Sequence, residues 1–172
     1  MNTIEFLRWV LPPEGVYVLF RNSLVEGRHR QAYFHSLEDL AEAADYYDSE
    51  GWDTYFAVSN YKKEGTRKGE DADKIKAFFL DLDCGPEKEF STKKAALQEL
   101  QQFCAITTLP KPLIVDSGRG LHVYWVLTEP VAVEEWKIVA DRFKAACAEH
   151  SFDIDTSVPA DTARVLRVLG TH

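Results

Sequence analysis

Asp81 and Asp83 follow directly on a short apolar run at residues 77–80. Side chains two positions apart on a β-strand lie on the same face, so both carboxylates would point one way while Leu82 points into the core. Neighbouring carboxylates repel each other unless a positive charge lies between them. A hard divalent cation such as Mg²⁺ or Mn²⁺ prefers oxygen ligands and would supply that charge. The alternative is that Asp-x-Asp only marks a strand that ends at the turn of residues 84–86.

A glycine turn at residues 117–122 contains the second group of residues that could do chemistry. Gly118 and Gly120 flank Arg119, and the backbone amides of a tight glycine turn can approach an anion. The arginine adds a forked donor that suits phosphate. These features predict a triphosphate cradle in which His122 contacts a phosphate or a sugar. The alternative is an ordinary glycine hairpin with one half-buried histidine.

The third group lies near the C-terminus, where Asp153 and Asp155 repeat the alternating acids and Asp161, Arg164 and Arg167 follow. A third carboxylate that joins the first acid pair would complete a two-metal site. In such a site two ions about 3.5–4 Å apart clamp the attacking and leaving oxygens of a phosphoryl transfer. The two arginines are three positions apart, so at most one of them can face the site from a regular strand. The alternatives are a solvated turn for the acids and a surface ion pair for each arginine.

The length, composition and net charge of the chain are those expected of an ordinary soluble protein. The chain has 172 residues, of which 45% are apolar and 28% charged, which predicts one domain with a real core. No apolar stretch approaches the length of a membrane span and no signal peptide is evident. Three widely spaced cysteines disfavour zinc and a disulfide framework and fit a reducing cytoplasm. The net charge of −8 argues mildly against a general nucleic-acid coat protein but leaves room for a local basic groove.

Hydrophobic periodicity and turn residues predict alternating strands and helices. Strands are predicted over residues 15–20, 31–34, 53–59, 77–83, 111–115, 121–127 and 162–168. Helices are predicted from a cap at Ser36 to Gly51, from a cap at Ser91 or Thr92 to Phe103, and over residues 133–150. His122 and Tyr124 share one face of their strand. The pattern favours an α+β fold with helices over a largely antiparallel sheet.

Residues 60–73 are predicted to form a long exposed loop, and such loops are often functional or mobile. The loop and the residue that follows it carry several basic side chains, which could guide a phosphate backbone or could simply be solvated. These are Lys62, Lys63, Arg67, Lys68 and Lys74.

In their order along the chain the three motifs resemble those of the archaeo-eukaryotic primase (AEP) superfamily, and within it the primase-polymerase (PrimPol) domains of phages, plasmids and other mobile elements. The family's Asp-x-Asp is matched by Asp81 and Asp83, and its Ser-Gly-x-Gly-x-His by residues 117–122 running into Val123-Tyr124-Trp125. The third motif keeps every spacing at Asp155, Val158, Asp161, Arg164 and Arg167. The resemblance covers residues 77–172 firmly and the N-terminal part only in layout.

The resemblance implies roles for individual residues. The metal ligands and catalytic carboxylates would be Asp81, Asp83 and Asp155, which hold two Mg²⁺ or Mn²⁺ ions, and the family pattern selects Asp155 over Asp153. The incoming nucleotide would be bound by Ser117, Arg119, His122 and Arg167. One departure is Leu169, where related domains usually have proline.

The implied fold is the α+β archaeo-eukaryotic primase fold. It has an RRM-like, largely antiparallel catalytic sheet with helices at residues 76–172 and an N-terminal α/β unit at residues 1–75, within one catalytic domain. Because the family pattern normally continues beyond His172, the resemblance implies a longer protein with a helical priming domain or a helicase.

The implied activity is that of a DNA primase-polymerase. A 3′-hydroxyl on a primer, or on a first nucleotide, attacks the α-phosphate of a dNTP or NTP opposite a DNA template, and pyrophosphate leaves. The expected location is the cytoplasm of a prokaryotic cell or a phage-infected host, without a membrane partner.

Two other classes of protein remain as alternatives. A non-catalytic module that binds single-stranded nucleic acid would tolerate loss of Asp83 and Asp155, but the aromatic residues on a basic sheet face that mark such modules are not evident in the sequence. A replication-initiator nuclease would need a His-x-His metal pair, and His122 has no such neighbour.

Overall fold

The computed structural model describes residues 1–23 and 27–171, and the chain divides into two compact units. The first unit comprises Met1–Lys76, Thr128–Val133 and Thr162–His172. The second comprises Ala77–Leu127 and Glu134–Asp161. Part of the hairpin loop that the sequence predicts at residues 21–30 lies outside the described residues.

Helices and strands are interspersed along the whole chain. In sequence order they are α1 (Thr3–Val10), β1 (Tyr17–Asn22), β2 (His29–Phe34), α2 (Leu37–Ser49), β3 (Asp53–Ala57), β4 (Ser59–Tyr61), β5 (Ala72–Asp83), α3 (Lys93–Thr107), β6 (Leu113–Asp116), β7 (Gly120–Ala132), α4 (Val133–Glu149) and β8 (Val165–Arg167). Helices and sheets of this kind confirm the predicted α+β fold. No helix in the described parts of the chain combines the length and hydropathy needed to cross a bilayer.

The first unit is built on an antiparallel sheet with the strand order β2-β1-β3-β8. The predicted N-cap of α2 is confirmed, because the Ser36 side chain accepts a hydrogen bond from the Asp39 amide at 3.1 Å. Helix α1 was not predicted, although Asn2 and Glu5 form a capping box at its start. In the same unit β4 pairs with the first residues of β5.

The second unit contains the end of β5, which neighbours β7, which in turn pairs with β6. Helices α3 and α4 complete its core, and Thr92 caps α3 by accepting a hydrogen bond from the Ala95 amide. The Trp136 ring of α4 is 1% exposed and stacks on Phe78 and Phe79. Its Nε1–H donates to the carbonyl of Ala77 at 3.0 Å. This indole therefore anchors α4 against the strand that carries the acid pair.

Two predicted boundaries differ from the structure. Strand β5 begins at Ala72 rather than at residue 77, and the predicted strand 53–59 is divided into β3 and β4. The predicted loop at residues 60–73 is shortened accordingly.

The C-terminal strand also lies elsewhere than predicted. The motif pattern assigns residues 162–172 to the catalytic unit, whereas β8 pairs with β3 through Arg167 and Tyr55, in the first unit. Strand pairing between residues more than 100 positions apart depends on tertiary structure, which local periodicity does not report.

Candidate active site

The acid pair lies at the end of β5 with the alternation that the sequence predicts. Leu82 is fully buried, while the side chains of Asp81 and Asp83 are 22% and 45% exposed. The oxygen atoms of both carboxylates are therefore accessible on the polar face of the strand, since Leu82 takes the opposite face.

The glycine turn between β6 and β7 is held in shape by its own polar groups. The Asp116 carboxylate accepts a hydrogen bond from the Gly118 amide at 2.8 Å, and the Ser117 amide donates to the carbonyl of Gly120 at 3.1 Å. Gly118 has φ +89°, a conformation that glycine adopts without strain. The exposed Arg119 occupies the tip of the turn.

This turn contacts the backbone that carries the acid pair. The Cys84 amide donates to the carbonyl of Arg119 at 3.1 Å. A Cβ atom on Gly120 would overlap the carbonyl oxygen of Leu82 and lie 3.1 Å from the Cα of Asp83. The second glycine is therefore required because two backbones approach closely, and this contact places the glycine turn beside the acids.

His122 links the turn to the first aspartate. Its ring is 5% exposed, its Nε2 lies 3.7 Å from Oδ1 of Asp81, and its Nδ1 lies 3.5 Å from the hydroxyl of Tyr124. Burial, and next the charge of Asp81, raise the pKa of Tyr124, so the phenol stays protonated and can donate to Nδ1. With Nδ1 as acceptor the ring proton lies on Nε2, whose 3.7 Å separation from Oδ1 of Asp81 is an electrostatic contact longer than a hydrogen bond. His122 is more deeply buried than the half-buried histidine considered from the sequence.

A cavity of about 380 Å³ lies beside Asp83, and three of the side chains that line it are cationic. It is lined by Asp83, Cys84, Gly85, Lys88, Ser91, Lys93, Gly118 and Arg119. Lys88 Nζ lies 2.8 Å from Oδ2 of Asp83, and Lys93 Nζ lies 2.6 Å from Oδ1 of Asp116. Both ion pairs are partly exposed and such pairs contribute little stability, so either lysine can exchange its carboxylate for an anion in the cavity.

Lys88 and Lys93 belong to none of the sequence motifs and were not predicted as site residues. One local signal could have identified Lys93. The first turn of α3 contains Lys93 and Lys94 and no acidic residue, although the positive end of a helix dipole favours acids there. A cation at an unfavourable position is a sign that another group requires it.

Asp155 lies in the irregular segment that follows α4. Phe152 and Ile154 are buried and Asp153 and Asp155 are exposed, so the two acids alternate with apolar anchors as predicted. The Asp155 carboxylate accepts a hydrogen bond from the Ser157 amide at 2.8 Å.

The chemistry of the acid pair suits a divalent cation, since Asp81 and Asp83 offer oxygen donors on one face of a strand. Within the residues that the structure describes, no group of three or more His, Cys, Asp or Glu side chains could hold a metal ion. The part of Asp81, Asp83 and Asp155 as metal ligands therefore stays a prediction.

Arg167 belongs to the first unit. Its guanidinium donates to the Asp53 carboxylate at 2.7 Å and to the Tyr55 hydroxyl at 3.1 Å, and its Cζ lies 5.0 Å from the centre of the Tyr55 ring. The predicted contact of Arg167 with a nucleotide phosphate stays a prediction.

Three of the basic residues in the predicted loop form surface ion pairs with neighbouring acids, namely Lys62, Lys63 and Lys68.

Comparisons with known proteins identify the fold. No protein-family model and no curated protein matches the chain. Among solved structures it is similar to the AEP domain of the cyanophage S-2L primase-polymerase, with a TM-score of 0.61, 16% identity, and coverage of 90% of this chain and 72% of that one. It is also similar to the primase RepB', with a TM-score of 0.58, 14% identity, and coverage of 99% of this chain and 50% of that one. The catalytic domain of RepB' in complex with initiator DNA gives a TM-score of 0.57 at 13% identity over 99% of this chain and 78% of that one.

Proposed function

We propose that this chain, which has the fold of an archaeo-eukaryotic primase-polymerase domain, is a DNA primase-polymerase. It transfers a nucleotide from a dNTP or NTP to a 3′-hydroxyl on a template and releases pyrophosphate. The observation that best supports this proposal is the contact of the glycine turn with the acid strand, which places a cationic cavity directly beside Asp83.

The cavity is suited to the phosphates of the incoming nucleotide. Its wall carries three positive charges, from Lys88, Lys93 and Arg119, and these would attract the negatively charged triphosphate. Ser91 also lines the cavity and adds a neutral hydroxyl donor. Ser117, in the glycine turn next to the lining residues Gly118 and Arg119, is the further neutral contact that this proposal includes. Arg167 completes the proposed nucleotide-binding set from the third motif.

The acids hold the metal in this proposal. Asp81 and Asp83 would bind Mg²⁺ or Mn²⁺, with Asp155 as the proposed third ligand. When bound, the ions would neutralise charge on the leaving phosphates and lower the pKa of the attacking hydroxyl. His122, which the resemblance assigns to nucleotide binding, is buried and its Nε2 lies 3.7 Å from Oδ1 of Asp81. In this proposal it therefore also acts as a positioning residue for that carboxylate.

The test is incorporation of labelled nucleotides on primed and unprimed templates with Mg²⁺ or Mn²⁺, with products resolved by length. We expect the wild-type protein to extend a primer and Asp81→Asn to lose extension while its thermal unfolding is unchanged. Asp73→Asn, on the same strand β5, is the matched control and should remain active. Extension by Asp81→Asn at the wild-type rate would contradict the proposal. Binding of single strands by a wild-type protein that incorporates nothing would favour the non-catalytic module instead.

A further inference from the structure

The sheet of the first unit carries a cluster of aromatic and basic side chains that no motif predicts. Phe20 of β1 is directly opposite Tyr55 of β3 in the strand register. His29 of β2 and Arg67 also contact Phe20. We call Phe20, His29, Tyr55 and Arg67 the aromatic-basic face.

The aromatic-basic face is the solvent-accessible end of one side of the sheet, and the other end of that side is buried in the core. Val18 and Ala57, each two positions from a member of the face, are 1% and 2% exposed and pack in a core cluster with Tyr61 and Ala72. Phe20 and Tyr55 are only partly buried, and His29 is exposed. Because alternate residues share one side of the sheet, the surface changes from core to solvent along its strands.

The aromatic rings form a continuous row. The His29 ring stacks on Phe20 with a centroid distance of 5.8 Å and an interplanar angle of 23°, and Tyr55 meets Phe20 edge-on at 6.1 Å. Since His29 is exposed, the row ends at a planar ring in contact with solvent. Such a ring offers a stacking surface to another planar group.

Positive charge lies along the same row. The Cζ of Arg67 lies 5.8 Å from the centre of the Phe20 ring, and its guanidinium donates to the carbonyl of Ala163. The Nε of Arg67 is buried and has no hydrogen-bond partner among the described residues. Arg167 holds Tyr55 in place from the other side through the 3.1 Å hydrogen bond. The Arg167 guanidinium is paired with the Asp53 carboxylate, so Arg67 is the positive charge that the face offers to a phosphate.

We propose that the aromatic-basic face binds single-stranded nucleic acid, with a base stacked on the His29–Phe20 pair and the backbone phosphates near Arg67. Stacking rings combined with guanidinium groups are the features by which proteins bind single strands without reading their sequence. The identity of the strand as the template of the reaction rests on the proposed function, whereas the binding itself does not. A face recognised by a protein partner would not distinguish strands with bases from strands without them.

The test compares two labelled probes, a short oligothymidylate and an abasic strand of the same length, by fluorescence anisotropy without metal or nucleotide. We expect the wild-type protein to bind the base-bearing strand about tenfold more tightly, because base–aromatic stacking has that magnitude. Phe20→Leu and His29→Ala should lose this preference and bind the abasic strand unchanged. Phe20→Tyr, which keeps a ring, should retain it.

Trp9→Ala is the matched control, because Trp9 is an aromatic residue of the same unit that is 56% exposed and lies on α1. Thermal unfolding of each variant verifies its fold, and His29→Ala, at an exposed position, replaces Phe20→Leu if that variant unfolds. The proposal is overturned if His29→Ala and Phe20→Leu keep the wild-type preference, or if the wild-type protein binds both probes equally.

Failure of this inference can be told apart from failure of the proposed function. Asp81→Asn should bind oligothymidylate like the wild type while it loses incorporation. If Asp81→Asn loses incorporation and the aromatic variants bind normally, nucleic-acid binding at the aromatic-basic face is refuted and the proposed polymerase activity is supported. If the aromatic variants lose binding and Asp81→Asn remains fully active, the face is supported and the metal site is refuted.

Discussion

Replacing Gly120 by alanine tests whether the glycine turn holds the acid pair in place. The new Cβ would overlap the carbonyl oxygen of Leu82 and lie 3.1 Å from the Cα of Asp83. Because non-bonded heavy atoms prefer separations of about 3.5–4.0 Å, strands β5 and β7 would move apart by on the order of 1 Å. Both atoms belong to backbone, so no side-chain rotation can relieve the contact.

The expected loss is larger for activity than for stability. Overpacking of this kind costs about 1–3 kcal/mol of unfolding free energy, and each kcal/mol lowers the melting temperature by about 2–4 °C in a domain of this size. A displacement of about 1 Å at reacting groups can lower the rate about 100-fold. Calorimetry or circular dichroism measures the first effect, and primer extension measures the second at a temperature where the variant is folded.

Gly118→Ala is the control within the same turn. Its φ is +89°, and a Cβ there would meet no atom of the described residues within 4 Å, so the substitution strains the turn without pushing the strands apart. We expect Gly118→Ala to lose some stability and to keep more activity than Gly120→Ala. A Gly120→Ala protein with wild-type melting temperature and wild-type extension would refute the reasoning from strand contact.

Two more predictions concern residues of the site. Lys93→Ala should raise the KM for nucleotide about tenfold, because it removes one charge-assisted contact with phosphate. The free energy of unfolding should change little, since a cation is lost from a helix N-terminus. Lys94→Ala is the neighbouring control, and equal KM values for the two variants would exclude Lys93 from the nucleotide site. Asp155→Asn should abolish incorporation and leave stability unchanged, because asparagine still accepts the hydrogen bond from the Ser157 amide. Asp153→Asn, equally exposed, should stay active, and the same primer-extension assay would assign the third ligand to Asp153 if the two outcomes were reversed.

Several local predictions, decided by a periodicity of two or by a helix cap, agreed with the structure, although the capping box that starts α1 was missed. The alternation of Asp81, Leu82 and Asp83 assigned the acids to one face and the leucine to the core, as observed. Ser36 and Thr92 cap their helices, since an N-cap depends on the next three residues of the chain.

The group of cationic side chains that lines the cavity was harder to predict, because its members come from separate elements. Lys88, Lys93 and Arg119 belong to a turn, a helix start and a hairpin tip, and only the folded chain brings them to one cavity. The hydrogen bond from the Cys84 amide to Arg119 establishes that neighbourhood.

The sequence by itself determined the class of fold, the orientation of the acid pair and the glycine turn, because strand alternation and turn chemistry act between residues close in the chain. The tertiary structure alone decided that β8 joins β3, that Gly120 contacts Leu82, and that Phe20, His29 and Tyr55 form one surface. Each of these depends on the register between distant strands, where a shift of one residue would turn every side chain to the opposite face.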